Sequence, residues 1–212
     1  MNIAKRSKDI ATSLIKKYGP SKIKKVLWDK EFSSTKWDFM DDTSADCVYP
    51  HLERYLRGGS ILDLGCGPGN TANELSDSAY GTYVGLDISQ AALDKGIERT
   101  KANGRQRKNN FAQGDFLGYK PTQKFDVILF RESLYHVPFG QVKAILDKYA
   151  QYLNDGGVFI VRLYAAAIET GKTKSRVTAK MDLIRTGFDV VEEAEYENIP
   201  GKPTVLIFRP RS

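Results

Sequence analysis

From position 60 onward, short apolar runs alternate with longer segments of helical periodicity. The runs that read as strands are SILDL, TYVGLD, NNFAQGD, FDVILF and GVFIVRL. The segments that read as helices are TANELSD, SQAALDKGIERTKAN, GQVKAILDKYAQYL and RVTAKMDLIRTG. Because the strands are apolar on both faces, the pattern predicts a doubly wound, mostly parallel α/β sheet. The last two runs, FDVVEEAEYEN and PTVLIFRP, are too close in sequence for a crossover helix and should pair antiparallel.

The first 58 residues have a different pattern and are predicted to form an N-terminal helical cap or lid, part of the same domain as residues 59–212. Apolar residues recur at helical spacing from Ile3 to Tyr18, and Gly19-Pro20 ends that helix. The segment KVLWDKEFSSTKWDFMDD is rich in aromatic residues and lacks clean periodicity. A helical pattern resumes in TSADCVYPHLERYL, with an expected kink near Pro50.

Composition narrows the class of protein. A chain of 212 residues with 41% hydrophobic content can bury one domain core. The net charge of +6 is concentrated in residues 1–25. Nucleic-acid enzymes instead spread basic side chains around the active site. We therefore interpret the basic segment as a solvated helix face and do not expect nucleic acid as a partner. The sequence contains neither a long apolar run nor a secretory signal, which favours a cytoplasmic protein that does not engage a membrane. Cys47 and Cys66 lack disulfide or metal-ligand spacing, so no metal is expected.

The sequence ILDLGCGPGN places three glycines, Gly65, Gly67 and Gly69, directly after the first predicted strand. Open α/β sheets bind ligands at this position. The spacing GxGxG matches neither a P-loop nor the dinucleotide fingerprint GxGxxG. Asp63, just before the glycines, would repel a pyrophosphate and suits a ligand with a cationic part.

With these features, the chain resembles the class I S-adenosylmethionine-dependent methyltransferases, whose first motif reads LDxGxGxG. The resemblance covers roughly residues 60–165. It implies a Rossmann-like sheet of seven strands in the order 3-2-1-4-5-7-6, with the last strand antiparallel, and S-adenosyl-L-methionine as cofactor. It further implies that Asp87 accepts hydrogen bonds from the ribose hydroxyls, and that Asp115 accepts from the adenine amino group beside Phe116. The expected cofactor-binding residues are Asp63, Gly65, Cys66, Gly67, Asp87, Ile88, Asp115, Phe116, Arg131 and Trp37.

Candidate catalytic residues follow the fourth strand in FDVILFRESLYHVP. Methyl transfer is an in-line displacement, so positioning can suffice, and a group with a pKa near neutrality helps where the acceptor must lose a proton. His136 is the predicted base, with Tyr135 as the next candidate; the alternative is a structural histidine in the turn before Pro138. His51 is expected on a helix surface, and Cys66 is expected to be a packing residue and not a nucleophile.

The acceptor is expected to be a small molecule methylated on an oxygen or nitrogen atom. RESL stands where related enzymes that methylate nucleobase amines carry [DN]PP[FY], and neither a ribose-methylation tetrad nor a catechol metal set can be traced. Residues 28–39 and the segment YAAAIETGKTKS after the fifth strand are candidate lids. The alternatives are a protein or RNA methyltransferase that docks through the basic arm, and a non-catalytic cofactor-binding protein; a nicotinamide dehydrogenase ranks last.

Overall fold

The computed structural model describes residues 3–34, 36–37, 43–164 and 171–211. Its centre is a seven-stranded sheet in the order β3-β2-β1-β4-β5-β7-β6. Strand β7 runs antiparallel to both β5 and β6, and the other neighbouring pairs are parallel. The predicted strand order and the antiparallel last strand are confirmed. The strands are β1 (Ser60–Leu64), β2 (Thr82–Asp87), β3 (Asn109–Gln113), β4 (Phe125–Arg131), β5 (Leu153–Tyr164), β6 (Asp189–Glu195) and β7 (Pro203–Arg209).

Helices surround the sheet, and the first three of those that the structure describes precede it in the chain. They are α1 (Ile3–Tyr18), α2 (Ser21–Phe32), α3 (Tyr49–Leu56), α4 (Asn70–Glu74), α5 (Gln90–Ala102), α6 (Phe139–Ala150) and α7 (Gly171–Gly187). Two single turns of 3-10 helix lie at Asp77–Ala79 and Leu134–His136. Among the described residues, none of the helices is both long and apolar enough to span a membrane.

Both faces of the central strands are buried, as their continuous apolar runs predict, whereas β6 at one edge is largely exposed. In β4, Val127 and Leu129 belong to the core on the side of α3, whereas Ile128 and Phe130 belong to the core on the side of α6 and α7. This alternation follows from the two-residue period of a strand. The central strands therefore end at a fixed edge between two packed layers, where loops can place side chains accurately.

The N-terminal segment differs from the expected pattern in α2. From Lys25 onward this helix lies in the stretch that lacks clean periodicity. Its protein-facing side is polar: Lys24 is buried, whereas Ile23 and Val26 are about half or more exposed. A helix that packs over polar groups does not show the apolar stripe that periodicity detects.

Two helix boundaries also differ from expectation. Helix α3 begins at Tyr49, and Pro50 lies in its first turn, where a missing N–H causes no kink. Gly171, within the second candidate lid, is the first residue of α7, which the sequence pattern predicts only from Arg176 onward. Residues 165–170 of the second candidate lid lie outside the described residues. The division into residues 1–58 and 59–212 stays a prediction.

Candidate functional site

A cavity of about 730 Å³ opens at the carboxyl ends of the parallel strands. Its walls come from the glycine turn after β1, the ends of β2, β3 and β4, and helix α2. All of the site residues expected from the sequence line it, namely Asp63, Gly65, Cys66, Gly67, Asp87, Ile88, Asp115, Phe116, Arg131, Trp37, Tyr135 and His136. The fold therefore brings the predicted cofactor and catalytic residues to one place.

The glycine turn after β1 contains backbone conformations that favour glycine. Gly65 has φ +82°, and a Cβ at this position would lie 2.6 Å from Cβ of Ser133. Gly69 has φ +68°, and its Cβ would lie 2.9 Å from the Phe111 ring. The positive φ and the short distance from a Cβ to its neighbour therefore both disfavour a side chain at these two positions. At Gly65 the backbone itself lines the cavity.

Asp63 is a buried carboxylate at the end of β1 with one oxygen unsatisfied. Tyr83 donates its hydroxyl to Oδ2 at 2.9 Å, while Oδ1 has no hydrogen-bond partner. Burial raises the pKa of Asp63 to about 6. Because a buried acceptor without a donor is costly, this oxygen marks a place where a cationic donor from a ligand would be favoured.

Asp87, at the end of β2, ties the glycine turn to the next loop. Its two oxygens accept the backbone N–H of Gly67 at 2.9 Å and that of Ser89 at 2.8 Å. Burial raises its pKa to about 6 despite these bonds. Ile88 follows it on the cavity wall. The carboxylate is thus held in a fixed orientation, with remaining lone pairs available to a ligand.

Asp115, after β3, receives hydrogen bonds from α2. The Ser21 hydroxyl donates to Oδ2 at 2.8 Å and the Lys24 ammonium at 3.2 Å, while Oδ1 accepts the backbone N–H of Leu117. Its neighbour Phe116 packs edge-on against Phe130 of β4. Asp115, predicted from the sequence to bind the cofactor, is therefore also a junction between the sheet and helix α2.

Helix α2 forms a roof over the strand ends. In addition to the contacts with Asp115, Asp29 accepts from the Ser89 hydroxyl at 2.9 Å and from the Ala91 backbone N–H at 3.3 Å. These contacts attach α2 to the loops after β2 and β3. The roof places Trp28 and Phe32 on the cavity wall.

Cys66 lies in the glycine turn and is buried. Burial, together with the nearby carboxylates of Asp87 and Asp63, raises the pKa of its thiol. A protonated thiol is a poor nucleophile, which agrees with a packing role.

The end of β4 carries a buried ionic network that the sequence analysis missed. Arg131 pairs with Asp46 at 2.6 Å and donates to the Tyr49 hydroxyl at 3.0 Å. Arg162, on β5, pairs with Glu132 at 2.7 Å and with Asp46 at 3.3 Å. Arg131 lines the cavity, but its Nε and Nη2 atoms both donate to Asp46 Oδ2.

Glu132 is the residue of this network with the most unusual backbone. Its φ of +55° is rare for a residue with a side chain and costs about 1 to 3 kcal/mol. Burial outweighs the attraction of Arg162 and raises the pKa of Glu132 to about 7. Strained residues cluster at functional sites, so a positive φ combined with a cavity position makes Glu132 a candidate. No short motif signals its pairing with Arg162, thirty residues further along the chain.

Tyr135 and His136 lie in the 3-10 turn after β4. The buried Lys180 ammonium of α7 holds this turn by donating to the carbonyls of Leu134 and Val137, at 2.9 and 2.7 Å. The His136 ring lies between the rings of Tyr135 and Trp28, with centroid distances of 4.4 and 5.0 Å. Burial and the positive charge of nearby lysines lower its pKa to about 3, so the imidazole is neutral at physiological pH.

His51 does not lie on a helix surface, and that expectation was wrong. Its side chain is buried, with Nε2 2.7 Å from the Tyr196 hydroxyl and Nδ1 2.9 Å from Glu192. The buried side of α3 includes His51 because β6 and the turn after it supply these polar partners. Within the part of the chain that the structure describes, no group of three or more His, Cys, Asp or Glu side chains is arranged to hold a metal ion.

The fold and the glycine turn agree with sequence comparison. Residues 42–199, well over half of the chain, match the family described as "Methyltransferase domain". The chain belongs to this family. The resemblance to class I S-adenosylmethionine-dependent methyltransferases is confirmed, and S-adenosylmethionine is the cofactor of that class.

Known relatives match parts of the chain. A trans-aconitate 2-methyltransferase of Agrobacterium fabrum is 35% identical over 114 residues, which cover 53% of this chain and 40% of the relative. A sterol 24-C-methyltransferase of Aspergillus fumigatus is 29% identical over 110 residues, which cover 51% of this chain and 29% of the relative. The chain thus spans less than half of the length of these relatives. The crystal structure of the N-methyltransferase NodS from Bradyrhizobium japonicum in complex with S-adenosylhomocysteine has a TM-score of 0.68 at 19% identity, covering 86% of this chain and 96% of NodS.

Proposed function

We propose that the chain is an S-adenosylmethionine-dependent methyltransferase that transfers a methyl group to an oxygen or nitrogen atom of a small-molecule acceptor. The observation that carries this proposal is a cavity that joins the glycine turn and the three carboxylates near it to the aromatic and ionic residues beyond β4. Its volume of about 730 Å³ lies within the ordinary range for small-molecule sites. The relatives named for trans-aconitate and sterol also act on small molecules, which supports the same acceptor class.

The residues around the glycine turn fit the proposed cofactor chemically. The unpartnered Oδ1 of Asp63 suits the ammonium of the methionine part. The fixed carboxylate of Asp87 suits the ribose hydroxyls, and Asp115 with Phe116 suits the adenine amino group and ring. The other residues proposed for cofactor binding are Gly65, Cys66, Gly67, Ile88, Arg131 and Trp37.

When bound, the cofactor supplies a methyl group on a positively charged sulfur. The chain itself contributes positioning and exclusion of water, because in-line displacement depends mainly on the approach of the two reacting atoms. The roof formed by α2 serves both purposes, since Asp29 and Lys24 attach it to the loops that carry the cofactor carboxylates.

An acceptor that carries a proton on its nucleophilic atom also needs a proton acceptor. With a pKa near 3, neutral His136 can accept a hydrogen bond but retains a proton poorly. We therefore assign Glu132, with a pKa of about 7, to proton uptake, and His136 together with Tyr135 to contact with the acceptor. The cytoplasmic location, the absence of a membrane partner and the absence of a nucleic-acid partner stay predictions.

The proposal is tested by incubating the protein with methyl-labelled S-adenosylmethionine and a panel of small amines, phenols and carboxylic acids. Calorimetric titration with S-adenosylhomocysteine on the same preparation measures cofactor binding independently. We expect saturable binding and a labelled small-molecule product. Lack of S-adenosylhomocysteine binding would contradict the cofactor, and binding without any labelled product would favour a non-catalytic role.

A further inference from the structure

Three aromatic side chains form a cluster at the wall of the cavity. Trp28 and Phe32 extend from α2, and Trp37 follows in a short turn. The ring centroids are 6.1 Å apart for Trp28 and Phe32, 6.1 Å for Trp28 and Trp37, and 5.8 Å for Phe32 and Trp37. We call this group, together with the carboxylate of Glu31, the aromatic cage.

One ring of the aromatic cage, that of Trp28, already holds an ammonium group of this chain. The Nζ atom of Lys16, from α1, lies 3.4 Å from the Trp28 ring centroid and 2.5 Å from Glu31 Oε2. The same carboxylate accepts from Trp37 Nε1 at 3.3 Å. The Lys16 side chain is only 9% exposed. Lys36 reaches the other oxygen of Glu31 at 2.8 Å, but its side chain is 55% exposed and lies at the rim.

This arrangement has the chemistry of an ammonium-binding site. The face of a tryptophan ring attracts a cation, most strongly where water is excluded, and a carboxylate supplies the balancing charge. Burial disfavours the charge of Lys16 and lowers the pKa of its ammonium, against the stabilising effect of Glu31. Lys16 lines the cavity and occupies the space over Trp28 beside Glu31, so it competes with a cationic ligand for that space.

The aromatic cage is adjacent to the residues assigned to the acceptor. The Trp28 ring forms a wall of the cage and also contacts the His136 ring edge-on at 5.0 Å. The arginines nearest the acceptor end, Arg131 and Arg162, are paired with Asp46 and Glu132. Glu31, the carboxylate of the cage, is shared by Lys16 and Lys36, so displacement of Lys16 leaves the buried side of Glu31 for another positive group.

We propose that the aromatic cage binds an ammonium group of the methyl acceptor, and that Lys16 occupies the cage until the acceptor displaces it. The acceptor would then be a small organic cation that carries its ammonium group, protonated or quaternary, beside a separate oxygen or nitrogen atom that takes the methyl group. This inference rests on the proposed function, because it names the acceptor class for the same cavity.

The two tryptophans of the chain, Trp28 and Trp37, both belong to the cage, so intrinsic fluorescence reports on it without methyl transfer. The probe is benzyltrimethylammonium, with benzyl alcohol and benzoate as neutral and anionic counterparts. We expect a saturable fluorescence change with the ammonium probe and none with the counterparts at the same concentrations.

Variants identify the groups responsible. Lys16→Met removes the internal competitor and should tighten probe binding by about tenfold, whereas Glu31→Gln should weaken it by about tenfold. Lys25→Met is the matched control, because Lys25 lies on α2 and pairs with Asp29 outside the cage; it should leave probe affinity unchanged. Circular dichroism verifies folding of each variant.

Three results would overturn the proposal: no saturable change in the wild-type protein, equal binding of benzoate, or weaker probe binding in folded Lys16→Met. If Lys16→Met does not fold, the wild-type selectivity and Glu31→Gln decide the question. S-adenosylhomocysteine titration separates this outcome from failure of the proposed function, because the cofactor can bind normally in a protein whose cage does not select cations.

Discussion

The two ends of the cavity are built in different ways. At the cofactor end, three carboxylates lie at or just after the ends of three neighbouring strands, and the backbone of the glycine turn completes the site; they are Asp63, Asp87 and Asp115. At the acceptor end, Glu132 forms an ion pair with Arg162 of β5, and the His136 ring packs against the ring of Trp28 of α2. The first end is set by short segments at strand termini, whereas the second requires residues that are far apart in sequence.

The two ends of the cavity therefore depend on two kinds of interaction, one local in sequence and one between distant residues. A positive φ at Gly65 or a carboxylate at a strand end is a local property, and parallel strands bring such ends together in any sheet of this topology. An ion pair between Glu132 and Arg162 carries no local signature and can change without altering the sheet. Substitutions at the two ends should therefore affect different measurements.

Asp87→Ala should have the largest effect, and on the cofactor end alone. It removes charge-assisted hydrogen bonds worth about 1.5 to 3 kcal/mol each, so loss of both ribose bonds would weaken S-adenosylhomocysteine binding by about 10² to 10⁴-fold. Calorimetry measures this effect. The control is Asp94→Ala, which removes an exposed carboxylate of α5 bonded to Gln90. Equal affinity in Asp87→Ala and wild type would refute the assignment.

Glu132→Gln should lower the single-turnover rate by about 10² to 10⁴-fold while leaving S-adenosylhomocysteine affinity nearly unchanged. Because the ionised carboxylate takes the proton, the wild-type rate should rise as pH increases through about 7, the pKa of Glu132. The variant should lose this rise. A variant that keeps the wild-type pH profile would exclude Glu132 from proton uptake.

Arg162→Met should reduce stability more than it reduces cofactor affinity. It leaves the carboxylate of Glu132 without its ion-pair partner, at a cost of about 3 to 5 kcal/mol, whereas Asp46 keeps its pair with Arg131. Lys143→Met provides the comparison, since its exposed pair with Asp147 should contribute less than about 0.5 kcal/mol. Urea denaturation measures both. Similar losses in the two variants would show that the ionic network at β4 does not stabilise the fold.

His136→Asn should have the smallest effect of the four, a decrease in single-turnover rate of about tenfold or less, because a hydrogen bond of ordinary strength contributes about 1 kcal/mol. The asparagine side chain retains a hydrogen-bonding group. If the variant instead loses as much rate as Glu132→Gln, His136 is the proton acceptor that the sequence alone suggests.

The sheet and the residues of the cofactor end could be predicted from the sequence because both depend on local patterns. Buried strands have apolar runs, and the glycine turn has a fixed spacing after β1. Sequence reasoning missed helix α2, whose inward side carries Lys24 and Asp29 for contacts with the loops of the sheet. It placed His51 on a surface because its partners, Glu192 and Tyr196, are more than a hundred residues away. Long-range polar pairing is the common cause of both errors.

The central claim is that one cavity holds the cofactor at the glycine turn and presents its reactive sulfur to the β4 end. A crystal structure of the protein with S-adenosylhomocysteine tests it most directly. We predict that the ribose contacts Asp87, the adenine lies beside Phe116, and the sulfur faces the space between Glu132 and His136. A sulfur atom that faces away from both side chains, or a ligand bound outside the glycine turn, would contradict the account.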